Sequence, residues 1–147
     1  MPYVFIWDSM RNEMSNNLFL KTIGSSLIGK GFTLSNFLMI TDKTECILLD
    51  LPFGNAIIGD LYLLNNKSIL LLDHFYDIST KYSKKTISCF YNNCGCNKNT
   101  YEKIDCFIYC INNTKLIENY VKNIDKSFFI IDTGNWQHFS ISEYTTN

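Results

Sequence analysis

Tyr3-Val4-Phe5-Ile6-Trp7-Asp8-Ser9-Met10 is the stretch on which the reading of this fold turns. Val4 to Trp7 is apolar without a charge, the pattern of a strand covered on both faces, and therefore of a central strand. Asp8 and Ser9 break the run, and Arg11 to Asn17 is strongly polar, which predicts that the chain leaves the core there. A turn at the end of a buried strand has backbone amides released from the ladder. The segment from Trp7 to Met10 is therefore a candidate ligand site.

Outward from this strand, apolar runs and turn residues alternate. Ile28 to Ile40 is a second strand region punctuated by Gly29, Gly31 and Asn36, and Cys46 to Leu51 is a short run stopped by Pro52 and Gly54. Ala56 to Leu63 reads as a strand in which Gly59 marks a bulge or a close approach. From Asn66 the period lengthens. Ile69, Leu70, Leu72, Phe75 and Tyr76 fall at helical spacings, which predicts a helix over Lys67 to Tyr76 with an asparagine as its cap.

Ile87, Cys89 and Tyr91, then Ile104, Cys106, Ile108 and Cys110, alternate with other residues as the two strands of an antiparallel hairpin do. Asn92 to Lys103, with Cys94 and Cys96, is its polar tip. Leu116, Ile117, Tyr120, Val121 and Ile124 trace a helix face, and Ser127 to Ile131 returns as a strand. The expected class is α+β: one domain over residues 1–147, a small mixed β-barrel with a few short flanking helices.

Composition removes several function classes. A net charge of -1, with the lysines scattered, leaves no electrostatic footprint for nucleic acid or for an acidic membrane. No apolar run approaches the ~20 residues of a membrane-spanning helix, and Met1-Pro2-Tyr3 opens no secretory signal. The expected protein is soluble, cytoplasmic and monomeric. Asn112-Asn113-Thr114 matches a glycosylation acceptor, which without a signal carries no meaning. Cys-x-Cys with a distant Cys-x-x-x-Cys is not one of the stronger zinc spacings, and alternation places Cys106 and Cys110 on the core face with Ile104 and Ile108. Buried reduced thiols are expected, with no metal; zinc or a regulatory disulfide is the other reading.

In order along the chain, Trp7-Asp8-Ser9-Met10, Asn16-Asn17-Leu18, Gly59-Asp60-Leu61-Tyr62, Leu72-Asp73-His74-Phe75-Tyr76, Tyr82 with Lys84, and Cys106-Phe107-Ile108-Tyr109 resemble the motifs of the γ-glutamylcyclotransferase superfamily (AIG2-like), most closely its γ-glutamylamine cyclotransferase branch. The resemblance covers roughly Tyr3 to Tyr109. It implies a small mixed β-barrel and a reaction needing no cofactor or metal. The α-amine of a γ-glutamyl compound attacks its own γ-carbonyl, closes 5-oxoproline and expels an amine. It also implies a substrate-binding set of Trp7, Asp8, Ser9, Met10 and Tyr82, with the turn after the first strand giving backbone N–H groups to the substrate. One glutamate, last in the Leu-Asp-x-Phe-Glu motif, moves the protons.

Here that catalytic position is Tyr76. A phenol titrates near pH 10 against about 4.3 for glutamate, so at neutral pH it donates a hydrogen bond but is a poor base. Loss of a positioned acid-base removes roughly 10²–10⁴ in rate. Asp8 replaces the glycine of the family's turn and would repel a substrate carboxylate. Each residue has an ordinary structural reading as well. Tyr76 fits a core tyrosine with a satisfied hydroxyl, and Asp8 fits a turn or helix cap. Asp8 is also the candidate for a relocated base, whereas His74 and Asp77 point elsewhere on the helix and are expected in solvent. Three functions follow: an inactive homologue binding a small γ-glutamyl compound or a protein partner, an active cyclotransferase using Asp8, or a zinc-dependent interaction module built on the hairpin cysteines.

Overall fold

The computed structural model describes residues 2–78, 80–93 and 100–137. Strand β1 (Tyr3–Ile6) pairs antiparallel with β4 (Asn55–Leu63) and parallel with β6 (Glu102–Cys110), with Val4, Phe5 and Ile6 fully buried. It is the central strand that its uninterrupted apolar run predicts. The hairpin of β5 (Ser83–Asn93) and β6 is antiparallel as expected, with Ile87 opposite Cys106. Within its tip, Cys94 and Cys96 lie outside the described residues.

Closure depends on β2 (Ser26–Thr41), which is longer at both ends than the apolar pattern suggests. Its first half is bonded to β4 on one edge and to β5 on the other, completing a five-stranded barrel in the order β2-β4-β1-β6-β5. Its last residues leave the barrel and pair with β3 (Cys46–Leu49) and β7 (Phe129–Ile130). Register shifts between Leu27 and Gly29 and between Phe32 and Asn36 let one strand serve both sheets, since a bulge bends the strand and adds twist.

Gly31 and Gly59 face each other across β2 and β4. A Cβ on Gly31 would strike the Phe90 carbonyl oxygen of β5, and one on Gly59 would strike the Ile6 carbonyl oxygen of β1. The glycine at position 59 thus marks a close backbone approach, without a bulge at that point.

Among the described residues, three short helices flank the barrel. Helix α1 (Asn17–Thr22) buries Asn17 and Leu20. Helix α2 (Asn66–Phe75) begins where the Asn65 side chain accepts from the Ser68 N–H at 2.8 Å and seats Ile69 and Leu72 on the barrel. Helix α3 (Thr114–Lys122), capped by Asn113, packs Leu116, Ile117 and Tyr120 against Leu38, Ile40, Ile47, Leu49 and Ile111 at the small sheet. Asn113 of the apparent glycosylation motif thus serves as a helix cap.

The described cysteines, Cys46, Cys89, Cys106 and Cys110, are buried and reduced, with the Cys106 and Cys89 sulfurs 3.7 Å apart across the hairpin. Among the described residues there is no cluster of side chains fit to hold a metal. No described helix is long and apolar enough to cross a membrane.

Candidate functional site

The turn after β1 leaves the core later than its polarity suggests, with exposure beginning at Glu13. Met10 and Arg11 are buried, and the Arg11 guanidinium lies 3.4 Å from the carboxylate of Asp60, itself fully buried on β4. Arg11 also donates to Asn135 Oδ1 at 2.9 Å, while the Asn12 N–H donates to Asp60 Oδ2 at 2.8 Å. Asn17 continues this anchoring, donating to the Met10 carbonyl and to the Tyr62 hydroxyl. A charged side chain can stay inside when an opposite charge and directed hydrogen bonds replace its water. Asp60 and Tyr62 are thereby structural partners of the turn.

The turn in turn fixes its candidate binding residues. Trp7 is buried, its indole N–H donating to the Tyr109 carbonyl at 2.9 Å. The Ser9 hydroxyl accepts from the Asn16 side-chain amide at 2.7 Å. Asp8 is half-buried, and both its carboxylate oxygens are engaged: Oδ1 accepts from the Met10 N–H at 3.1 Å and Oδ2 from the Tyr76 hydroxyl at 2.7 Å. The turn cap and the core tyrosine with a satisfied hydroxyl are therefore two halves of one contact.

Tyr76, just past the last turn of α2, stacks on Tyr109 with ring centroids 4.3 Å apart and meets Tyr82 edge-on at 5.4 Å. Trp7 backs both Tyr76 and Tyr82 at 6.4 and 6.3 Å. The Tyr109 hydroxyl and Lys84 share Asp73, so that carboxylate is already compensated. Asp8, Ser9, Tyr76 and Tyr82 line a cavity of about 320 Å³, while Trp7 lies behind its wall and Met10 beneath the turn. His74 and Asp77 are exposed. His74 is outside the cavity wall, but Asp77 contributes to its lining.

Burial pushes the Asp8 carboxyl above its ordinary value, only partly offset by the hydrogen bonds from Tyr76 and Met10. Burial and the adjacent Asp8 charge push the Tyr76 phenol well upward, so it remains a donor at any working pH. Burial likewise raises Tyr82 and, together with Asp8, the Cys46 thiol on the cavity wall, which excludes Cys46 as a ready thiolate nucleophile.

The raised Asp8 value has a consequence for stability. Between the ordinary carboxylate range and that value, the folded chain binds more protons than the unfolded one. Stability therefore falls as pH rises through this window, as the carboxyl loses its proton in the folded chain. Asp8→Asn keeps an acceptor for the Met10 N–H and a donor for the Tyr76 oxygen without the charge. Thermal melts at neutral pH should show the variant a few degrees more stable than the parent, with the difference fading in acid. A variant that melts lower at every pH would contradict this account.

Cys46, Glu45, Lys81 and Trp136 also line the cavity, and sequence patterns did not bring them to it. They come from the β2–β3 connection (Glu45), the first residue of β3 (Cys46), the loop after α2 (Lys81) and the segment after β7 (Trp136). No local spacing relates those segments to the first strand; only the closure of the barrel does.

No family model and no curated protein matches the sequence. Solved structures match it in shape. A mouse AIG2-like protein superposes with a TM-score of 0.65 over 75% of this chain and 76% of its own, at 19% identity. A γ-glutamyl cyclotransferase gives 0.57 over 76% of this chain and 67% of its own, at 16% identity. The Kluyveromyces lactis allophanate hydrolase matches at 0.63 over 94% of this chain and 20% of its own, at 7% identity. The closed five-stranded barrel with its three short helices is the AIG2-like γ-glutamylcyclotransferase fold.

Proposed function

We propose that this protein is a catalytically inactive, ligand- or partner-binding homologue on the γ-glutamylcyclotransferase scaffold, working as a monomer in the cytoplasm. The observation that carries the reading is the chain of hydrogen bonds from Tyr76 through the Asp8 carboxylate to the Met10 N–H. In the family that the sequence resembles, the turn N–H groups serve the substrate, and a glutamate at the Tyr76 position shuttles protons. Here the Met10 N–H is already occupied by a side chain of the turn itself. The shuttle position holds a phenol committed to donating, with its proton bound more firmly than usual. Asp8 also places negative charge where a γ-glutamyl carboxylate would approach, and like charges at close range raise the cost of binding.

A second reading has one observation in its favour. Asp8 lines the cavity with its carboxyl raised by burial, a property suited to a relocated general base in an active cyclotransferase. The two readings separate in a single assay of 5-oxoproline release from γ-glutamyl amino acids, γ-glutamyl-ε-lysine and glutathione. The inactive reading expects no release above the uncatalysed background from any of them. Release by the parent protein that disappears in Asp8→Asn would replace it with the second.

A further inference from the structure

Three acidic residues, Asp8, Glu45 and Asp77, line the cavity against a single basic one, Lys81. The remaining wall is rich in aromatic residues: Phe75, Tyr76, Tyr82 and Trp136. An aromatic wall beside the Asp8 carboxylate offers a cation two kinds of attraction, from the aromatic rings and from the carboxylate charge. Both donors to Asp8, a phenol and a backbone amide, are neutral, and no ion pair among the described residues reaches it. A carboxylate held partly out of water without a counter-charge carries a desolvation cost, and a bound cation would supply that counter-charge.

The rim already shows the chemistry on a small scale. The Lys81 ammonium lies 5.6 Å from the centre of the Tyr82 ring and 3.9 Å from the Glu45 carboxylate. At about 320 Å³ the space beyond it suits a ligand of several heavy atoms.

We propose that this cavity binds an organic ammonium group, primary or quaternary and carrying no carboxylate, held between the Asp8 carboxylate and the aromatic wall. The proposal rests on reading the cavity as a binding site, and it names the class of ligand. The raised Asp8 value agrees with it, because a cation bound beside the carboxylate would relieve that shift.

Calorimetric titration of the full chain with n-butylammonium and with choline, each beside its neutral analogue (n-butanol and the tert-butyl analogue of choline), tests this directly. At least one ammonium probe should bind about tenfold or more tightly than its neutral analogue, and Asp8→Asn should erase the ratio. The butylammonium arm responding alone would assign a primary amine, and the choline arm alone a quaternary one. Lys81→Gln, at the partly exposed rim, frees Glu45 and a Tyr82 face and should tighten ammonium binding severalfold. This variant keeps the test decisive even if Asp8→Asn fails to fold.

Equal binding of charged and neutral probes, no ammonium binding up to concentrations on the order of 10 mM, or an ammonium affinity unmoved in Lys81→Gln would overturn the proposal. The 5-oxoproline assay reports separately on catalysis. Release there would overturn the inactive reading, while the ratio of charged to neutral probes would still judge the ammonium site.

Discussion

The Asp8→Gly, Tyr76→Glu double variant should release 5-oxoproline from a γ-glutamyl substrate at least about 10²-fold faster than the parent protein, the usual contribution of a positioned acid-base. The two changes belong together because the two side chains form one contact at 2.7 Å. Tyr76→Glu alone would set two carboxylates within a few ångströms, where they share a proton and each perturbs the other. Asp8→Gly alone would free the Met10 N–H and remove the repulsion but leave no base. Only the pair frees the turn amide and places a carboxylate at the end of α2, as the family's motif has it. A time course of 5-oxoproline formation for the parent, both single variants and the double variant decides the matter. A silent double variant would mean that the cavity has lost more than its proton shuttle, and attention would pass to Cys46 and Trp136 on its wall.

The parts of this molecule legible in its sequence are those set by local periodicity. Ile104 to Cys110 alternates because one face of β6 packs inside the barrel, and Leu72 and Tyr76 lie four apart because both face inward from α2. The resemblance in motif order added the barrel itself. What the sequence hid is set by partners far apart in the chain. Polarity from Arg11 to Asn17 reads as solvent exposure, yet Arg11 is buried because Asp60, forty-nine positions later, supplies its counter-charge. Asp8 and Tyr76 each had a local explanation; their mutual bond spans sixty-eight positions and becomes visible only once the barrel is closed.

Asp60→Ala should be the most damaging single substitution near the site. It removes the acceptor for Arg11 and for the Asn12 N–H, leaving a buried guanidinium whose other hydrogen bond goes to the neutral Asn135 side chain. Breaking a buried ion pair from one side costs about 3–5 kcal/mol, because the surviving charge keeps its desolvation penalty. Urea unfolding should report a loss of that size, with a melting temperature lower by roughly 10–15 °C. Asp60→Asn, which keeps an acceptor, should lose less. A loss below about 1 kcal/mol for the alanine variant would mean that water reaches Arg11 and that the pair is not the anchor of the turn.

The position of β2 also bears on how the chain is made. Its partners on the barrel side are β4 and β5, and β1 waits for its parallel neighbour β6, which ends only at Cys110. During synthesis at roughly 5–20 residues per second, the apolar edges of β1 and β2 stand without their final neighbours for several seconds after they emerge. A nascent chain in that interval presents open strand edges of the kind that pair with other chains. The ribosome-bound form is thus the stage at which the strand edges of this barrel are most open to pairing with other chains.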